Sequence, residues 1–229
     1  MREYTKELLA RAVLRLTDGE EWNHQFFLPF DIKTRKKDVD SPGYNINKWK
    51  RIEKIIDSIG IKDKSVIDVG CSDGYFSTQC ALAGAAHVYG IDLDPLRIKR
   101  AKFIKSVFKM QNVEFEIQNL YSLKEGKKFD ILLGLGLIHR VPDLDGCLQK
   151  LSKIANNIIL EFKSLNDDRP ICENKNGVTK SNIYNALYNI PTHNYIINEM
   201  KKNGINNYKL YEDNISNLKY KRSLMVFSK

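Results

Sequence analysis

The sequence is short of several things at once, and each shortage closes off a class of function. Cysteine is sparse, at Cys71, Cys80, Cys147 and Cys172, and no two form a Cys-x-x-Cys pair. That spacing offers neither a zinc site nor a disulfide framework, so free reduced thiols are expected. Histidine is equally sparse, and no His/Cys/Asp/Glu group has metal-ligand spacing, so no metal requirement is expected. No apolar run approaches the ~18 residues that a membrane-crossing helix needs; the best, Ile131 to Ile138, is far shorter. The opening Met1-Arg2-Glu3-Tyr4 is polar, with no signal-peptide core, and a cytoplasmic protein with no membrane partner is expected. Acidic residues are outnumbered, 28 Asp and Glu against 37 Lys and Arg, for a net charge of +9. A basic excess attracts polyanions such as RNA. Lysine, asparagine and isoleucine are abundant throughout, and compositional bias is the alternative reading of the charge.

The chain of 229 residues, 42% hydrophobic and 28% charged, is an ordinary globular composition. Two helices come first. Leu8, Leu9, Ala12, Val13 and Leu16 recur at helical spacing over Tyr4 to Leu16. Ile46, Trp49, Ile52, Ile56 and Ile59 form a second stripe that stops at Gly60. Between them lie the aromatics Trp22, Phe26, Phe27 and Phe30, the basic run Lys33 to Lys37 and a turn at Ser41-Pro42-Gly43.

From Ser65 onward strands and helices alternate. Strands are expected at Ser65–Val69, His87–Ile91, Val113–Ile117, Phe129–Leu133, Asn157–Phe162, Asn207–Tyr211 and Arg222–Phe227. Helices are expected at Tyr75–Leu82, after Asp94 to Met110, at Asp143–Ile154 and at Tyr195–Asn203, with a surface loop over Asn166–Lys180. The fold class is therefore α/β: a Rossmann-like, seven-stranded, mostly parallel sheet with helices on both faces. Residues 1–60 are expected as an N-terminal helical appendage, a cap or lid, on a 61–229 core.

The central motif is Val66-Ile67-Asp68-Val69-Gly70-Cys71-Ser72-Asp73-Gly74, between a strand and a helix. Glycines at 70 and 74 allow a sharp turn and close approach to a ligand. A dinucleotide loop presents a helix N-terminus to pyrophosphate. Here Asp68 and Asp73 repel a pyrophosphate but suit a cationic amino-acid moiety, which favours S-adenosylmethionine (SAM) over NAD. Asp92, at the end of the second strand, is placed to accept from a ribose diol, with Asp94 as the cap of the next helix. Asn119 is placed to accept from an adenine amino group. Cys71, Ser72, Tyr75, Phe76, Leu93, Leu120 and Leu135 complete the expected cofactor set.

The run from Val66 to Asp92 resembles the glycine-rich and acidic motifs of class I SAM-dependent methyltransferases, and the resemblance covers about 62–163. It implies SAM as cofactor and an antiparallel last strand. A narrower resemblance is to the tRNA wobble-uridine 5-oxyacetate (carboxymethyl-transferring) family and its small-molecule-modifying relatives. It rests on Trp22 with its aromatic stretch, Asn47-Lys48-Trp49-Lys50-Arg51, Gly136-Leu137-Ile138-His139-Arg140, Leu160-Glu161 and Lys221-Arg222. That family grips the extra carboxylate of a carboxylated SAM with a lysine, a tyrosine and an arginine. Here Arg222 matches, Ile138 stands at the tyrosine position, and Gly19, Glu20 and Glu21 stand where the lysine is expected. Ordinary SAM and plain methyl transfer follow, because a carboxylate beside Ile138 is poorly solvated.

His139 is the candidate base and Arg140 the candidate holder of an acidic substrate group or partner of Glu161. Trp22, His24, Lys48, Arg51, Glu161 and Arg222 are the expected substrate-binding residues, and His87 and His193 are given no role. The basic residues Arg97, Lys99, Arg100, Lys102, Lys105 and Lys109 read as a solvated helix face or a phosphate-contacting one. The leading expectation is methyl transfer to an oxygen of a small-molecule or sugar-like acceptor. The alternatives are an RNA-modifying enzyme and a non-catalytic SAM-fold partner subunit. Neither acceptor identity nor oligomeric state is encoded in a readable way.

Overall fold

The computed structural model describes residues 5–17, 19–35, 45–124, 126–176, 187–211 and 219–229. The expected turn at Ser41-Pro42-Gly43, the end of the Lys33–Lys37 run and positions 177–180 lie outside them. In chain order the elements are α1 (Lys6–Thr17), β1 (Phe27–Leu28), β2 (Ile32–Lys33), α2 (Asn45–Ile59), β3 (Ser65–Val69), α3 (Tyr75–Leu82), β4 (His87–Asp92), α4 (Pro95–Val107), β5 (Val113–Ile117) and β6 (Phe129–Leu135). There follow α5 (Leu144–Ile154), β7 (Ala155–Leu165), β8 (Cys172–Asn176), β9 (Leu187–Pro191), α6 (His193–Lys202), β10 (Asn207–Tyr211) and β11 (Tyr220–Ser228). A seven-stranded sheet has the order β10-β11-β7-β6-β3-β4-β5. The expected sheet is thus present, and β11 runs antiparallel to β7 and β10 as the family resemblance implied.

The chain divides into two compact units, Met1–Lys64 with Cys71–Ile117, and Ser65–Gly70 with Gln118–Lys229. The N-terminal segment thus groups with the loop, helices and strands of Cys71–Ile117. In this first unit β4 and β5 pair in parallel. Glycine is required where α3 and β4 meet Phe115. A Cβ on Gly74 would lie 2.7 Å from Phe115 Cζ and 2.9 Å from Ala101 Cβ, and one on Gly90 would lie 2.6 Å from the same ring. Asp94 caps α4, accepting from the Leu96 and Arg97 amides as its sequence position suggested. In the second unit β3, β6 and β7 are parallel neighbours. Their continuous apolar runs are what strands covered on both faces require. Asp143 caps α5, and Leu144, Cys147, Leu148, Leu151 and Ile154 form its buried stripe.

Several expectations need correction. Leu8 is 55% exposed, and the buried face of α1 is Leu9, Val13 and Leu16, the strict i, i+4, i+7 positions. In α2, Ile55 is buried while Ile46 and Ile59 are only half-buried. Helix α4 ends at Val107 rather than Met110, and β6 and β7 run past their expected ends. The expected loop over 166–180 contains β8, paired with β9; its polar residues hid a two-stranded ribbon. His193 opens α6 behind the Thr192 cap instead of sitting in a loop, and its Nε2 meets the Ser223 hydroxyl. All four cysteines are free. Among the described residues no helix is long and apolar enough to cross a membrane, and no group of three or more metal-ligating side chains forms.

Gly74→Ala tests the packing argument. Its φ of +79° and the two short contacts act together, so a loss of about 2–4 kcal/mol is expected in urea unfolding. Gly60→Ala shares the φ of +79° but meets nothing within 4 Å, and should lose about 1–2 kcal/mol. Equal losses would refute the role of the Phe115 contact.

Candidate functional site

In the first unit, the chain leaves Gly70 and makes a tight loop, Gly74 N–H donating to the Cys71 carbonyl at 2.9 Å. Gly70, Ser72 and Gly74 all have positive φ, so every second residue is left-handed. The loop is tied to the end of β4. Cys71 N–H donates to the Ile91 carbonyl at 3.0 Å, and Ser72 N–H donates to Asp92 Oδ2 at 2.8 Å. Asp92 Oδ1 accepts from Asp94 N–H at 3.0 Å. A carboxylate has about four acceptor positions, so Asp92, half-buried, keeps capacity for a ligand diol. Cys71, Tyr75 and Phe76 are buried beneath the loop, and Leu93 is exposed beside it.

Asp73 departs from expectation. Its side chain is fully buried and is directed at the protein itself, accepting from the Asn23 amide and from His24 N–H at 3.1 Å. Arg100 Nη1 stands 3.6 Å from its other oxygen. Arg100, read from sequence as part of a solvated or phosphate-binding face, is 1% exposed. It donates to the carbonyls of Leu16 (2.7 Å), Thr17 (3.1 Å), Glu20 (2.7 Å) and Glu21 (3.3 Å), and lies 5.3 Å over the Trp22 ring. Four carbonyls thus accept from the five N–H donors of the guanidinium, and the Asp73 carboxylate pairs with it as an ion. The sequence signal was available: Arg100 lies with Ala101, Ile104 and Val107 on the buried stripe of α4. Asn23 was also missed; its side chain donates to Ser72 Oγ at 2.9 Å.

Trp22 is 1% exposed and packs edge-on against Phe26 and Phe103, which is a core position rather than a pocket wall. His24 packs on Tyr75 and Phe76, with ring centroids 5.8 and 5.4 Å away. Burial, reinforced by Lys48, Arg97 and Arg35, pushes its pKa down to about 3. Burial pushes the Asp73 carboxyl up, against the pull of the His24 amide, Arg100 and the Asn23 amide. Lys48 Nζ lies 5.8 Å from the Phe76 centroid, and Arg51 is half-buried on α2.

In the second unit a different cluster forms. Gly136, at φ +77°, follows β6, and its N–H donates to the Glu161 carbonyl at 2.7 Å. Glu161 lies opposite Leu135 on β7 and is 5% exposed. Arg222 Nε of β11 donates to Glu161 Oε1 at 2.8 Å. A Cβ on Gly136 would sit 3.9 Å from Glu161 Oε2, 3.9 Å from His139 Cε1 and 4.0 Å from Arg222 Nη2. Three of the expected residues therefore meet around Gly136. His139 is buried in the turn Ile138–Arg140, and Lys163 N–H donates to its Nδ1 at 3.5 Å. That bond places the proton of a neutral ring on Nε2. Ile138 is fully buried. Arg140 is exposed, and the guanidinium on Glu161 is that of Arg222, which corrects the expected Arg140–Glu161 pair.

Of the remaining cofactor candidates, Asp68 is buried within β3, Leu120 is buried and Leu135 half-buried. Asn119 is exposed, and its Oδ1 accepts from Tyr121 N–H at 3.0 Å, so part of its acceptor capacity is already taken.

Comparison with known proteins matches residues 61–194, more than half of the chain, to a family described as a methyltransferase domain. The chain is 26% identical over 199 residues to a tRNA U34 carboxymethyltransferase of Aliarcobacter butzleri, covering 85% of this chain and 62% of that protein. It is 31% identical over 107 residues to a ubiquinone biosynthesis O-methyltransferase of Pelagibacter ubique, covering 46% and 44%. The chain thus spans less than two thirds of the length of these curated relatives. Among solved structures, the N-terminal domain of EvdMO1, crystallised with SAH and D-fucose, aligns with a TM-score of 0.80 at 15% identity, over 98% of this chain and 97% of that one. Magnesium protoporphyrin IX methyltransferase of Synechocystis PCC 6803 with bound SAM aligns with a TM-score of 0.56 at 21% identity, over 80% and 81%.

The pKa of His24 sets a pH dependence of stability. Its ordinary value of 6.5 holds in the unfolded chain and about 3 in the folded one. On acidification the unfolded state takes up a proton that the folded state refuses. The contribution of neutral His24 is therefore present above pH 6.5 and is lost as pH falls toward 3. Denaturant unfolding should show a loss of about 1–2 kcal/mol from this residue between pH 7 and pH 5. The His24→Gln variant should lack that component; an identical pH slope in the variant would refute the assignment.

Proposed function

We propose that this chain, which belongs to the methyltransferase-domain family and is a SAM-dependent methyltransferase of class I, transfers a methyl group to a hydroxyl oxygen of a small, sugar-like acceptor. The observation that carries the reading is the meeting of Glu161, Arg222 and His139 around Gly136. A hydroxyl is a weak nucleophile and needs a proton acceptor as it attacks. Glu161 Oε2 supplies one, while Arg222 on Oε1 holds the carboxylate in orientation. His139, with its proton on Nε2, is a hydrogen-bond donor that orients the acceptor, and the base role expected of it from sequence passes in this proposal to Glu161.

SAM, when bound, supplies an electrophilic methyl carbon on a sulfonium. The acceptor oxygen forms the new O–C bond as the C–S bond breaks, the electron pair goes to sulfur, and the hydroxyl proton goes to Glu161. The residues fit this donor. The loop Gly70–Gly74 offers close backbone approach, and Asp92 has capacity for the ribose diol. Asp73 acts in this scheme as a positioning residue, through the segment Asn23–His24. Two features support plain methyl transfer to a polyol. Ile138 brings no hydroxyl for an extra carboxylate, and the structural relative EvdMO1 was crystallised with D-fucose.

A second reading, modification of RNA, is favoured by the similarity to tRNA U34 carboxymethyltransferases and by exposed basic residues, Arg11 and Arg15 on α1, Lys99 and Lys102 on α4, and Lys109 just after it. It requires RNA binding whose affinity falls steeply with salt. Affinity for SAM with no turnover on polyols or RNA would instead support a non-catalytic partner subunit.

Asp92→Ala should weaken SAM binding in calorimetry by about 1–3 kcal/mol, through lost charge-assisted hydrogen bonds. An unchanged affinity would remove Asp92 from the ribose site. Glu161→Gln should leave SAM affinity unchanged and lower kcat about 100-fold on any acceptor found in a panel of small polyols and deoxy sugars. Full turnover by that variant would exclude Glu161 as the proton acceptor.

A further inference from the structure

The face of β7 and β11 that carries Glu161 continues past the Gly136 cluster. Lys163 follows Glu161 by two residues, so both are on one face of β7. Lys163 stands directly opposite Arg222 on β11, and the next pair on that face is Leu165 opposite Tyr220. Like charges directly opposite one another on paired strands are destabilising, and the nearby carboxylates are engaged elsewhere. Glu161 Oε1 meets Arg222 Nε at 2.8 Å. Glu173 of β8 lies 3.3 Å from Lys219 Nζ and accepts from the Tyr220 hydroxyl at 3.2 Å. Along this stretch three cations thus share two carboxylates, and no carboxylate pairs with Lys163 among the described residues. Lys163 is half-buried, and its Nζ lies 4.6 Å from the centroid of the Tyr220 ring. Its backbone has a separate task, the N–H bond to His139 Nδ1.

We infer that Lys163 is a specificity residue for the acceptor, and that the acceptor is an acidic sugar whose phosphate or carboxylate the Lys163 ammonium takes. A ring face holds an ammonium more weakly than an oxyanion does. An oxyanion at Lys163 also offsets its repulsion with Arg222. Glu161 then faces the hydroxyl that is methylated, and Lys163 faces the acid group of the same molecule. Two residues along a strand span about 7 Å, so the acid group is several bonds away from that hydroxyl. Sugar phosphates and sugar acids offer both groups on one small frame, whereas a neutral polyol leaves Lys163 opposite Arg222 with nothing between them. This role deepens the reading of a small, sugar-like acceptor and rests on it.

The test is calorimetric titration of the full chain with D-galactose, D-galactose 1-phosphate, D-galactose 6-phosphate and D-galacturonate. The chain is first saturated with S-adenosylhomocysteine, which fills the donor site so that only acceptor binding is read. Wild type should bind at least one acidic sugar about tenfold or more tightly than D-galactose. Whether a phosphate or the galacturonate leads identifies the oxyanion. Lys163→Met keeps the backbone amide under His139 and should lose that preference, while Lys163→Arg should retain it, both with unchanged affinity for S-adenosylhomocysteine. D-galactose bound as tightly as every acidic sugar would overturn the role of Lys163 and leave a neutral acceptor standing; this wild-type comparison decides even where a variant fails to fold. A preference that survives in Lys163→Met would overturn the role as well, because the oxyanion would then be held elsewhere. Binding of none of the four sugars would overturn the sugar-like acceptor and the role of Lys163 with it. Failure to bind S-adenosylhomocysteine at all would instead overturn the SAM reading itself.

Discussion

One buried ion pair governs the first unit. Arg100 and Asp73 are both removed from water, and each carries charge that has to be met by hydrogen bonds or left at a cost of several kcal/mol. Arg100 meets it with the carbonyls of residues 16, 17, 20 and 21, and Asp73 with the amides of residues 23 and 24. The segment after α1 has little regular structure of its own, and its backbone groups are satisfied by these two side chains instead. Trp22 is locked between Phe26, Phe103 and the guanidinium as a consequence. The segment is therefore built onto the Gly70–Gly74 loop. The loop carries Asp73, Asp73 carries His24, and His24 rests on Tyr75 and Phe76. A lid that opens at this point would strand a buried arginine.

The second unit solves a different problem, the placement of polar chemistry at the end of apolar strands. Strand β6 is apolar from Ile131 to Leu135 and β7 from Ile158 to Leu160; Glu161 comes next on β7, and after Leu135 Gly136 turns the chain away at positive φ. Around Gly136 a carboxylate, a guanidinium and an imidazole stand within 4.0 Å of one point, where its Cβ would be. A buried carboxylate is tolerated there because Arg222 meets it from the neighbouring strand β11. The antiparallel last strand thus does more than close the sheet: it delivers the counter-charge.

Much of this was legible in the sequence. The seven strands were found because their apolar runs are short and bounded by turn residues, and the loop at Gly70–Gly74 because glycine and aspartate recur there at fixed spacing. Asp92, Asp94 and His139 were picked out because each follows a strand or opens a helix, and Glu161 and Arg222 through the family resemblance. What failed was anything that depends on a partner distant in sequence. Arg100 looked like one of several surface cations, because its acceptors are carbonyls about 80 positions away. Asp73 looked like a ligand group, because the amides it holds belong to the N-terminal segment. Pairing with Glu161 was one of two roles open to Arg140, and the guanidinium that takes it comes from Arg222, about 60 positions further along the chain. The β8–β9 ribbon escaped because its strand residues are polar.

The most direct test of this account is amide hydrogen exchange on Arg100→Met, followed at Asn23 and His24. Those two amides bind Asp73 and not Arg100, so only a coupled assembly links them to the substitution. The account predicts that both lose most of their protection while the amides of β6 and β7 keep theirs, because local opening precedes global unfolding. Unchanged protection at Asn23 and His24 would contradict it, and would show that the segment is held on the loop without the buried pair.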